Sequence, residues 1–357
     1  MSKLPNIEAI DVFCGAGGLS YGLQQAGIKV LAGIDVDKAC QYPFEKNIKA
    51  TFLKRDVRKI TSAELNALYS PGATKMLAGC APCQPFSSFR NTKDSNEEDE
   101  KWTLLDEFSR LVDEVQPDLV TMENVPPLRS KDVFKQFVAK LKSQKYEVDV
   151  QVVYCPAYGI PQQRRRLVLI ASRLGPIAPL KPLYEPADYP SVRKTIEKLP
   201  EVESGKVYVP DPLHRAVGLN DLNLKRIRQS KPGGTWMDWP VEIRSECHTK
   251  KSGASFQSVY ARMEWDKPSP TITTQSHNYG TGRFGHPEQD RAITLREAAM
   301  IQSFPDHYQF AEPAQITFAG TGRLIGNAVP PKLGTAIGEH FKKHLVKKPP
   351  TKNSLVK

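Results

Sequence analysis

Residues 7–35 read IEAIDVFCGAGGLSYGLQQAGIKVLAGID, and this stretch decides the fold. It holds two apolar runs separated by a cluster of glycines and a segment with the spacing of an amphipathic helix. Glycines after a strand let the backbone turn tightly and let a ligand approach the chain. Asp35 ends the second run, where an acid can bind ribose hydroxyls in nucleotide-binding α/β folds. The spacing Gly15-x-Gly17-Gly18 departs from the dinucleotide fingerprint, so it disfavours NAD and leaves other adenosine cofactors open.

The same alternation of strand-like and helix-like segments continues to about residue 175. Further strand-like runs cover 75–80, 117–124, 148–155 and 165–172, and helical spacing covers 19–26, 104–115 and 133–141. This alternation predicts an α/β domain with a mostly parallel sheet. Prolines at 176, 179, 182, 186 and 190 then indicate a domain boundary. Periodicity is weak from 186 to 294, and residues 326–345 return to a helical pattern.

The composition is that of a globular protein with a basic surplus. The chain has 357 residues, 39% of them hydrophobic, and a formal net charge of +11, which is compatible with a polyanionic partner. Its six cysteines are spread widely, which disfavours a disulfide scaffold and favours a reducing compartment. The sequence shows neither a signal peptide nor an apolar run long enough for a membrane helix. We interpret the lysine-rich C-terminal tail as a solvated end rather than a DNA-binding arm.

The third strand leads into the loop Ala81-Pro82-Cys83-Gln84-Pro85-Phe86-Ser87. A cysteine in a proline-braced loop after a parallel strand lies where active sites of α/β folds gather. Cys80 and Cys83 could instead form a redox or metal pair, but the sequence offers no second pair at a suitable spacing for structural zinc. We therefore rank a nucleophilic Cys83 first and expect Cys80 to be buried and inert.

Two neighbouring features are consistent with an active site at this loop. The stretch 88–101 is polar and charged, which is typical of a mobile surface loop or, beside a nucleophile, of a lid. The fourth strand ends in Met122-Glu123-Asn124, where Glu123 is either an acid or hydrogen-bond partner for a substrate or merely a loop cap.

Eight motifs, in order along nearly the whole chain, resemble those of the DNA cytosine-5 methyltransferase family, and the chain is identified as a member of its prokaryotic modification type. They are DVFCGAGG at 11–18, GIDVD at 33–37, RDV at 55–57, GCAPCQPFS at 79–87, MENVPPL at 122–128, QQRRR at 162–166, RAITLRE at 291–297 and GNAVPP at 326–331. The resemblance implies a Rossmann-like S-adenosylmethionine-dependent methyltransferase sheet with helices on both faces, plus a smaller irregular target-recognition domain.

In this division a catalytic and cofactor-binding domain spans 1–185 and is completed by 318–357. The target-recognition domain spans 186–294, and a hinge spans 295–317. The implied cofactor is S-adenosylmethionine, released as S-adenosylhomocysteine, without a metal. The residues that the resemblance assigns to the cofactor are Phe13, Gly15, Ala16, Gly17, Gly18, Asp35, Val36, Asp56, Val57, Pro82, Leu104, Asn327, Ala328 and Val329.

The resemblance also implies the chemistry. Cys83 would add to C6 of a cytosine that is rotated out of duplex DNA, which activates C5 for methylation. Glu123 would bond N3 and the exocyclic amine, Arg166 would hold O2, and Arg164 would brace the site. Expected DNA contacts are Gln84, Ser87, Arg226, Arg228 and Lys250, although for the basic residues of the target-recognition region a solvated surface explains the charges equally well. The expected protein is a cytoplasmic, nucleoid-associated monomer, with a cognate restriction endonuclease as a partner.

Three alternatives stay open at this point. A tRNA cytosine methyltransferase of the same family would carry a Cys-Phe-Thr element, and the target region has only Glu246-Cys247-His248. A catalytically inactive DNA-binding relative is disfavoured because Cys83, Glu123 and Arg166 are all present. A cysteine-dependent hydrolase is disfavoured because all seven histidines lie at 214 or beyond. The methylated sequence itself is not readable from the chain.

Overall fold

The structure is a computed structural model, and it describes residues 6–82, 95–250 and 257–346. Seven strands form one sheet: β1 Ile7–Val12, β2 Lys29–Asp35, β3 Thr51–Lys54, β4 Thr74–Gly79, β5 Leu119–Asn124, β6 Glu147–Tyr154 and β7 Arg165–Ser172. The helices are α1 Gly18–Gln25, α2 Gln41–Ile48, α3 Ser62–Asn66, α4 Ser95–Val115, α5 Asp132–Ser143, α6 Val192–Ile196, α7 Asp221–Gln229, α8 Glu246–Thr249, α9 Leu295–Ile301, α10 Phe318–Asn327 and α11 Pro331–Val346. None of these helices is both long and apolar enough to cross a membrane.

The strand order is β3-β2-β1-β4-β5-β7-β6. The pairs among β1 to β5 are parallel, and β7 runs antiparallel to β5. Strands β1 and β5 are buried over their whole length, as expected for apolar runs in the middle of a covered sheet. The predicted α/β fold with a mostly parallel sheet is therefore confirmed, with the short β3 as an element that the apolar pattern did not indicate.

Contacts divide the chain into two compact units. The first unit comprises Met1–Val153, Arg165–Lys181 and Pro331–Lys357, and the second comprises Tyr154–Arg164 and Pro182–Pro330. Residues 318–330 thus belong to the second unit, whereas the sequence-based division assigned them to the catalytic domain. The functional names given to the sequence-based domains stay predictions.

The first unit is closed by the last helix of the chain. Helix α11 packs on α1 so closely that a Cβ on Gly22 would lie 2.1 Å from the Pro331 carbonyl oxygen and 2.7 Å from Gly334 Cα. Only glycine permits this approach, because the neighbouring atoms belong to the backbone. Lys342 Nζ also donates a hydrogen bond to the Ala26 carbonyl at 2.8 Å.

Residues 326–345 do not form one continuous helix as their pattern predicted. Helix α10 ends at Asn327 and Ala328 is extended, with φ −64° and ψ 145°. Pro330 disfavours a helical conformation at the residue before it, and it cannot donate a helical hydrogen bond. A new helix begins at Pro331, where the missing N–H costs nothing.

The second unit is built from the short helices α6 to α10, single turns and isolated β-bridges, as its weak periodicity indicated. It is organised around a buried ion pair. Arg291 contacts Glu297 through both guanidinium nitrogens, at 2.7 and 2.8 Å, and both side chains are at most 1% exposed. Thr294 and Glu297 also form the capping box that begins α9.

Candidate active site

The loop after β1 turns through residues in left-handed backbone conformations. Phe13, Gly15 and Gly17 have φ values of 62°, 53° and 84°. A left-handed phenylalanine is unusual, and such strain is concentrated at ligand sites. A Cβ on Gly15 would meet no heavy atom of the described residues within 4 Å, so the backbone here borders open space. Ala16 is buried against the protein, and Gly18 begins α1.

Asp35, at the end of β2, ties this loop to the next one. Its carboxylate accepts hydrogen bonds from the Gly15 amide at 3.0 Å and the Asp37 amide at 2.9 Å. Burial raises its pKa above the ordinary value. The following residue, Val36, is 62% exposed, which is unusual for an apolar side chain at a strand end. An exposed apolar surface beside a hydrogen-bonding carboxylate is an arrangement that could hold an adenosine.

Asp56 lies at the end of β3, the next strand of the sheet. Its carboxylate accepts hydrogen bonds from Arg58 Nη2 at 2.7 Å and from the Arg58 amide at 3.0 Å. The next residue, Val57, is buried. Leu104 is half-buried against the apolar core of the first unit, and Pro82 is exposed. Asn327, Ala328 and Val329 lie in the second unit, where Asn327 is exposed at the end of α10.

A buried acid that the sequence reasoning missed lies directly before the glycine loop. Asp11 is 1% exposed, and Ser20 Oγ donates to its Oδ2 at 2.6 Å. Its Oδ1 has no hydrogen-bond partner among the described residues. Burial, helped by the charge of Asp35, raises the pKa of Asp11 to about 7. The signal was a charged residue inside the apolar run IEAIDVF.

Asp11→Asn is expected to change how stability depends on pH. The pKa of Asp11 is raised from 3.8 to about 7, so burying the charged form costs stability progressively as pH rises through this window. Asparagine keeps the Ser20 hydrogen bond without the charge. In urea unfolding, the free energy of unfolding of the variant relative to that of the wild type should therefore rise by on the order of 2 kcal/mol between pH 5 and pH 8.

The exposed variant Asp132→Asn is the control for this experiment, and its difference from the wild type should change little with pH. A difference between Asp11→Asn and the wild type that is the same at pH 5 and pH 8 would contradict the assignment of the titration to Asp11.

Strands β4, β5 and β7 bring three side chains together. Glu123, near the end of β5, is 3% exposed, and Arg166 Nε lies 2.8 Å from its Oε1. Because β7 runs antiparallel to β5, with Glu123 opposite Val168, the beginning of β7 lies beside the end of β5. Cys80, directly after β4, donates from Sγ to Glu123 Oε2 at 3.1 Å.

The expectation that Cys80 is buried is therefore wrong, and its expected inertness stays a prediction. Its side chain is only partly buried, and it bonds a carboxylate because the neighbouring strand places Glu123 against it. The segment after Cys80 is held as well, since Asn124 Nδ2 donates to the Ala81 carbonyl at 3.0 Å. The backbone that leads into the cysteine loop is thus attached to β5. Cys83, Gln84 and Ser87 themselves, and the first half of the stretch 88–101, lie outside the described residues, whereas 95–101 belong to α4.

Arg164 belongs to the second unit, where its guanidinium donates to the carbonyls of Ile272 at 3.0 Å and Gly326 at 3.4 Å. It is 3% exposed. These contacts hold two backbone segments of the second unit, as a bracing role for Arg164 requires.

The predicted DNA contact at Arg226 is corrected by the structure. Arg226 is 7% exposed and donates to Ile243 O, Asn223 Oδ1 and Ser245 Oγ. Its guanidinium also lies over the rings of Trp239 and Tyr260. The basic cluster could not reveal this, because an arginine packed among aromatic rings has the same sequence signature as one at the surface.

The other two basic candidates in the second unit are exposed. Arg228 Nε lies 3.1 Å from Asp290, and Lys250 Nζ lies 3.2 Å from Glu246. Both ion pairs are at the surface, where such pairs contribute little to stability and exchange readily for other anions. Within the described ranges, no group of three or more histidine, cysteine or acidic side chains is arranged to hold a metal ion.

Comparison with known proteins gives three findings. Residues 7–343 match the family model of the C-5 cytosine-specific DNA methylase. The chain is 51% identical over 339 residues to the Type II methylase M.HgiDII of Herpetosiphon aurantiacus, covering 94% of this chain and 95% of that protein. It is 32% identical to the Type II methyltransferase M1.BsuMI of Bacillus subtilis, covering 94% of this chain and 80% of the relative.

A solved structure shares the fold. The crystal structure of a protein described as a DNA modification methyltransferase encoded within an E. coli prophage superimposes with a TM-score of 0.73 at 22% identity, and it covers 96% of this chain. Together with the family match, this likeness assigns the seven-stranded sheet to the Rossmann-like fold of the DNA methyltransferases.

Proposed function

Because the chain belongs to the C-5 cytosine-specific DNA methylase family and is a DNA cytosine-5 methyltransferase, we propose that it uses S-adenosylmethionine to methylate one cytosine within a specific duplex DNA sequence. The observation that carries the proposal is the buried Glu123 carboxylate, held by Arg166 and Cys80 beside the segment that leads to Cys83.

The residues around the glycine loop fit the cofactor. Open space beside Gly15, the exposed Val36 and the hydrogen-bonding Asp35 match the needs of an adenosine with a flexible tail. Phe13, Gly15 to Gly18, Asp35 and Val36 would hold it, together with Asp56, Val57, Pro82, Leu104 and residues 327–329. S-adenosylmethionine, when bound, supplies an electrophilic methyl group.

Cys83 provides the nucleophile in this proposal. Cytosine C5 is a poor nucleophile, and a thiolate that adds to C6 moves the ring electrons to C5, which can then take the methyl group. The C5 proton must afterwards leave to a base, the C5–C6 double bond re-forms, and the Cys83 thiolate is expelled. Splitting one difficult step into two easier ones is the purpose of the covalent bond.

Glu123 and Arg166 hold the cytosine ring. Glu123 bonds N3 and the exocyclic amine, which offsets the charge that builds on the ring during attack. Arg166 already lies against Glu123, so its guanidinium can hold O2 of the same ring and orient it. Arg164 acts from the second unit by holding the backbone at Ile272 and Gly326.

DNA contacts complete the proposal. The target base is stacked inside the duplex, so it must rotate out, at a cost of a few kcal/mol that backbone contacts offset. Gln84, Ser87, Arg228 and Lys250 are the proposed contacts, and the second unit carries the sequence readout. The protein acts as a monomer at the nucleoid in the cytoplasm, and a restriction endonuclease for the same site is the proposed partner.

Transfer of label tests the proposal. The protein is incubated with tritiated S-adenosylmethionine and unmethylated duplex DNA, with tRNA in a parallel tube and Cys83→Ser beside each. Label should enter DNA, be lost with Cys83→Ser, and map to C5 of cytosine at one sequence by base-resolution sequencing. Label that enters only tRNA would identify an RNA enzyme, and cofactor binding without any transfer would indicate an inactive relative.

A further inference from the structure

Cys80 contacts the carboxylate that the proposed reaction depends on. Its Sγ lies 3.1 Å from Glu123 Oε2, while Arg166 Nε lies 2.8 Å from Oε1. Oε2 therefore accepts a hydrogen bond from the thiol, whereas Oε1 has an ion-pair contact without hydrogen-bond geometry, and all three residues belong to the first unit. We propose that Cys80 is a positioning residue, whose thiol fixes the plane of the Glu123 carboxylate for the cytosine ring. This inference rests on the proposed function of Glu123.

The backbone around Cys80 is fixed on both sides. The Cys80 amide donates to the Val12 carbonyl at 3.2 Å, and the next carbonyl, of Ala81, accepts from Asn124 at 3.0 Å. The thiol is thus attached to a segment held by β1 and β5, the strands on either side of β4. A donor on a rigid element can set the orientation of a neighbouring side chain within narrow limits.

The weakness of the thiol as a donor suits this role. A carboxylate on an ethylene stem turns freely about its last bond, so an ion pair to one oxygen leaves its plane undefined. A second donor defines the plane. Because a thiol donates weakly, it does so while leaving the lone pairs of Oε2 available to the exocyclic amine of a cytosine. A charged second donor would compete with the substrate for the same oxygen.

The inference gives Cys80 a role that the sequence did not indicate. The spacing Cys80-x-x-Cys83 suggested a redox pair or a metal-binding pair. Either kind of pair would direct the Cys80 sulfur toward Cys83. In the structure the Cys80 sulfur donates a hydrogen bond to Glu123. We therefore expect Cys80 to act through the carboxylate and to affect the methyl-transfer step rather than the binding of either substrate.

Two variants with and without a donor test the inference. Cys80→Ala is expected to lower kcat about three- to tenfold, with the KM for DNA and the Kd for S-adenosylmethionine unchanged. Cys80→Ser, which restores a donor, should recover most of that loss. Thermal melting is followed in parallel. If Cys80→Ala unfolds below the assay temperature, Cys80→Val takes its place as a variant that fills the space without donating.

A double-variant comparison separates positioning from packing. In a Glu123→Gln background, measured by single-turnover label transfer with excess enzyme, Cys80→Ala should cause no further loss. An equal loss in both backgrounds, a serine variant as slow as the alanine one, or an alanine variant with the wild-type kcat would each overturn the inference. Wild-type enzyme in the same assay must label DNA, and its failure to do so would overturn the proposed function instead.

Discussion

Glu123→Gln is expected to lower the single-turnover rate of methyl transfer by about 10²- to 10³-fold. The buried carboxylate is the group proposed to offset charge on the cytosine ring, and glutamine can neither carry that charge nor exchange a proton with N3. The variant also leaves the Arg166 guanidinium without its anion, which disturbs the group proposed to hold O2. The rate is measured with tritiated S-adenosylmethionine and an excess of enzyme over DNA.

Glu339→Gln serves as the control, because Glu339 is an exposed residue of α11 that pairs weakly with Lys343. It should transfer methyl groups at the wild-type rate. Gel-shift assays are expected to show DNA binding by both variants. A Glu123→Gln enzyme within threefold of the wild type would remove Glu123 from the chemistry and would leave the Cys83 loop without its proposed electrostatic partner.

Glu297→Gln is expected to destabilise the second unit by on the order of 3–5 kcal/mol. Glu297 is 1% exposed, and its carboxylate accepts hydrogen bonds from both terminal guanidinium nitrogens of Arg291. The variant therefore leaves a buried guanidinium without its counter-charge. Burial raises the pKa of Glu297, but the charge and hydrogen bonds of Arg291 outweigh burial and lower the pKa to about 2. Urea unfolding followed by tryptophan fluorescence measures the loss, since Trp236 and Trp239 are buried in this unit.

The pH dependence has a definite sign. A carboxyl with a lowered pKa stabilises the fold above its ordinary value of 4.5 and loses that contribution as pH falls toward 2. The difference between wild type and Glu297→Gln should therefore shrink in acid. Glu197→Gln, which removes an exposed partner of Arg193, is the matched control and should unfold like the wild type. Equal midpoints for the two variants at neutral pH would contradict a structural role for the buried pair.

The apolar pattern predicted the sheet because strands buried on both faces have an unambiguous sequence. β1 and β5 are buried along their whole length and carry apolar residues at most of their first positions, and both were placed correctly. The four-residue β3 was not predicted, because only one of its residues is buried. Such a short segment has too few buried apolar positions to show a strand pattern. The break between α10 and α11 was missed for another reason, since the prolines that cause it lie inside a stretch whose apolar spacing is helical on both sides.

The site was predictable where a motif names the residue, and it was not where function depends on contact across strands. Glu123 and Arg166 were singled out, and the structure brings them together. Asp11 was missed and the contact of Cys80 was not foreseen, because their partners Ser20 and Glu123 are nine and 43 positions away and only the fold places them in contact. Arg226 was misread because charge in a sequence says nothing about burial.

The packing of α11 on α1 has a consequence for synthesis on the ribosome. Lys342 and Ala26 are 316 positions apart, and the contact at Gly22 needs Pro331 and Gly334. The packing of the first unit against α11 therefore cannot form until residues 331–342 have been translated, long after β1 and α1. We expect nascent chains that lack α11 to stay sensitive to protease, and to become resistant once α11 has left the ribosome and packed on α1.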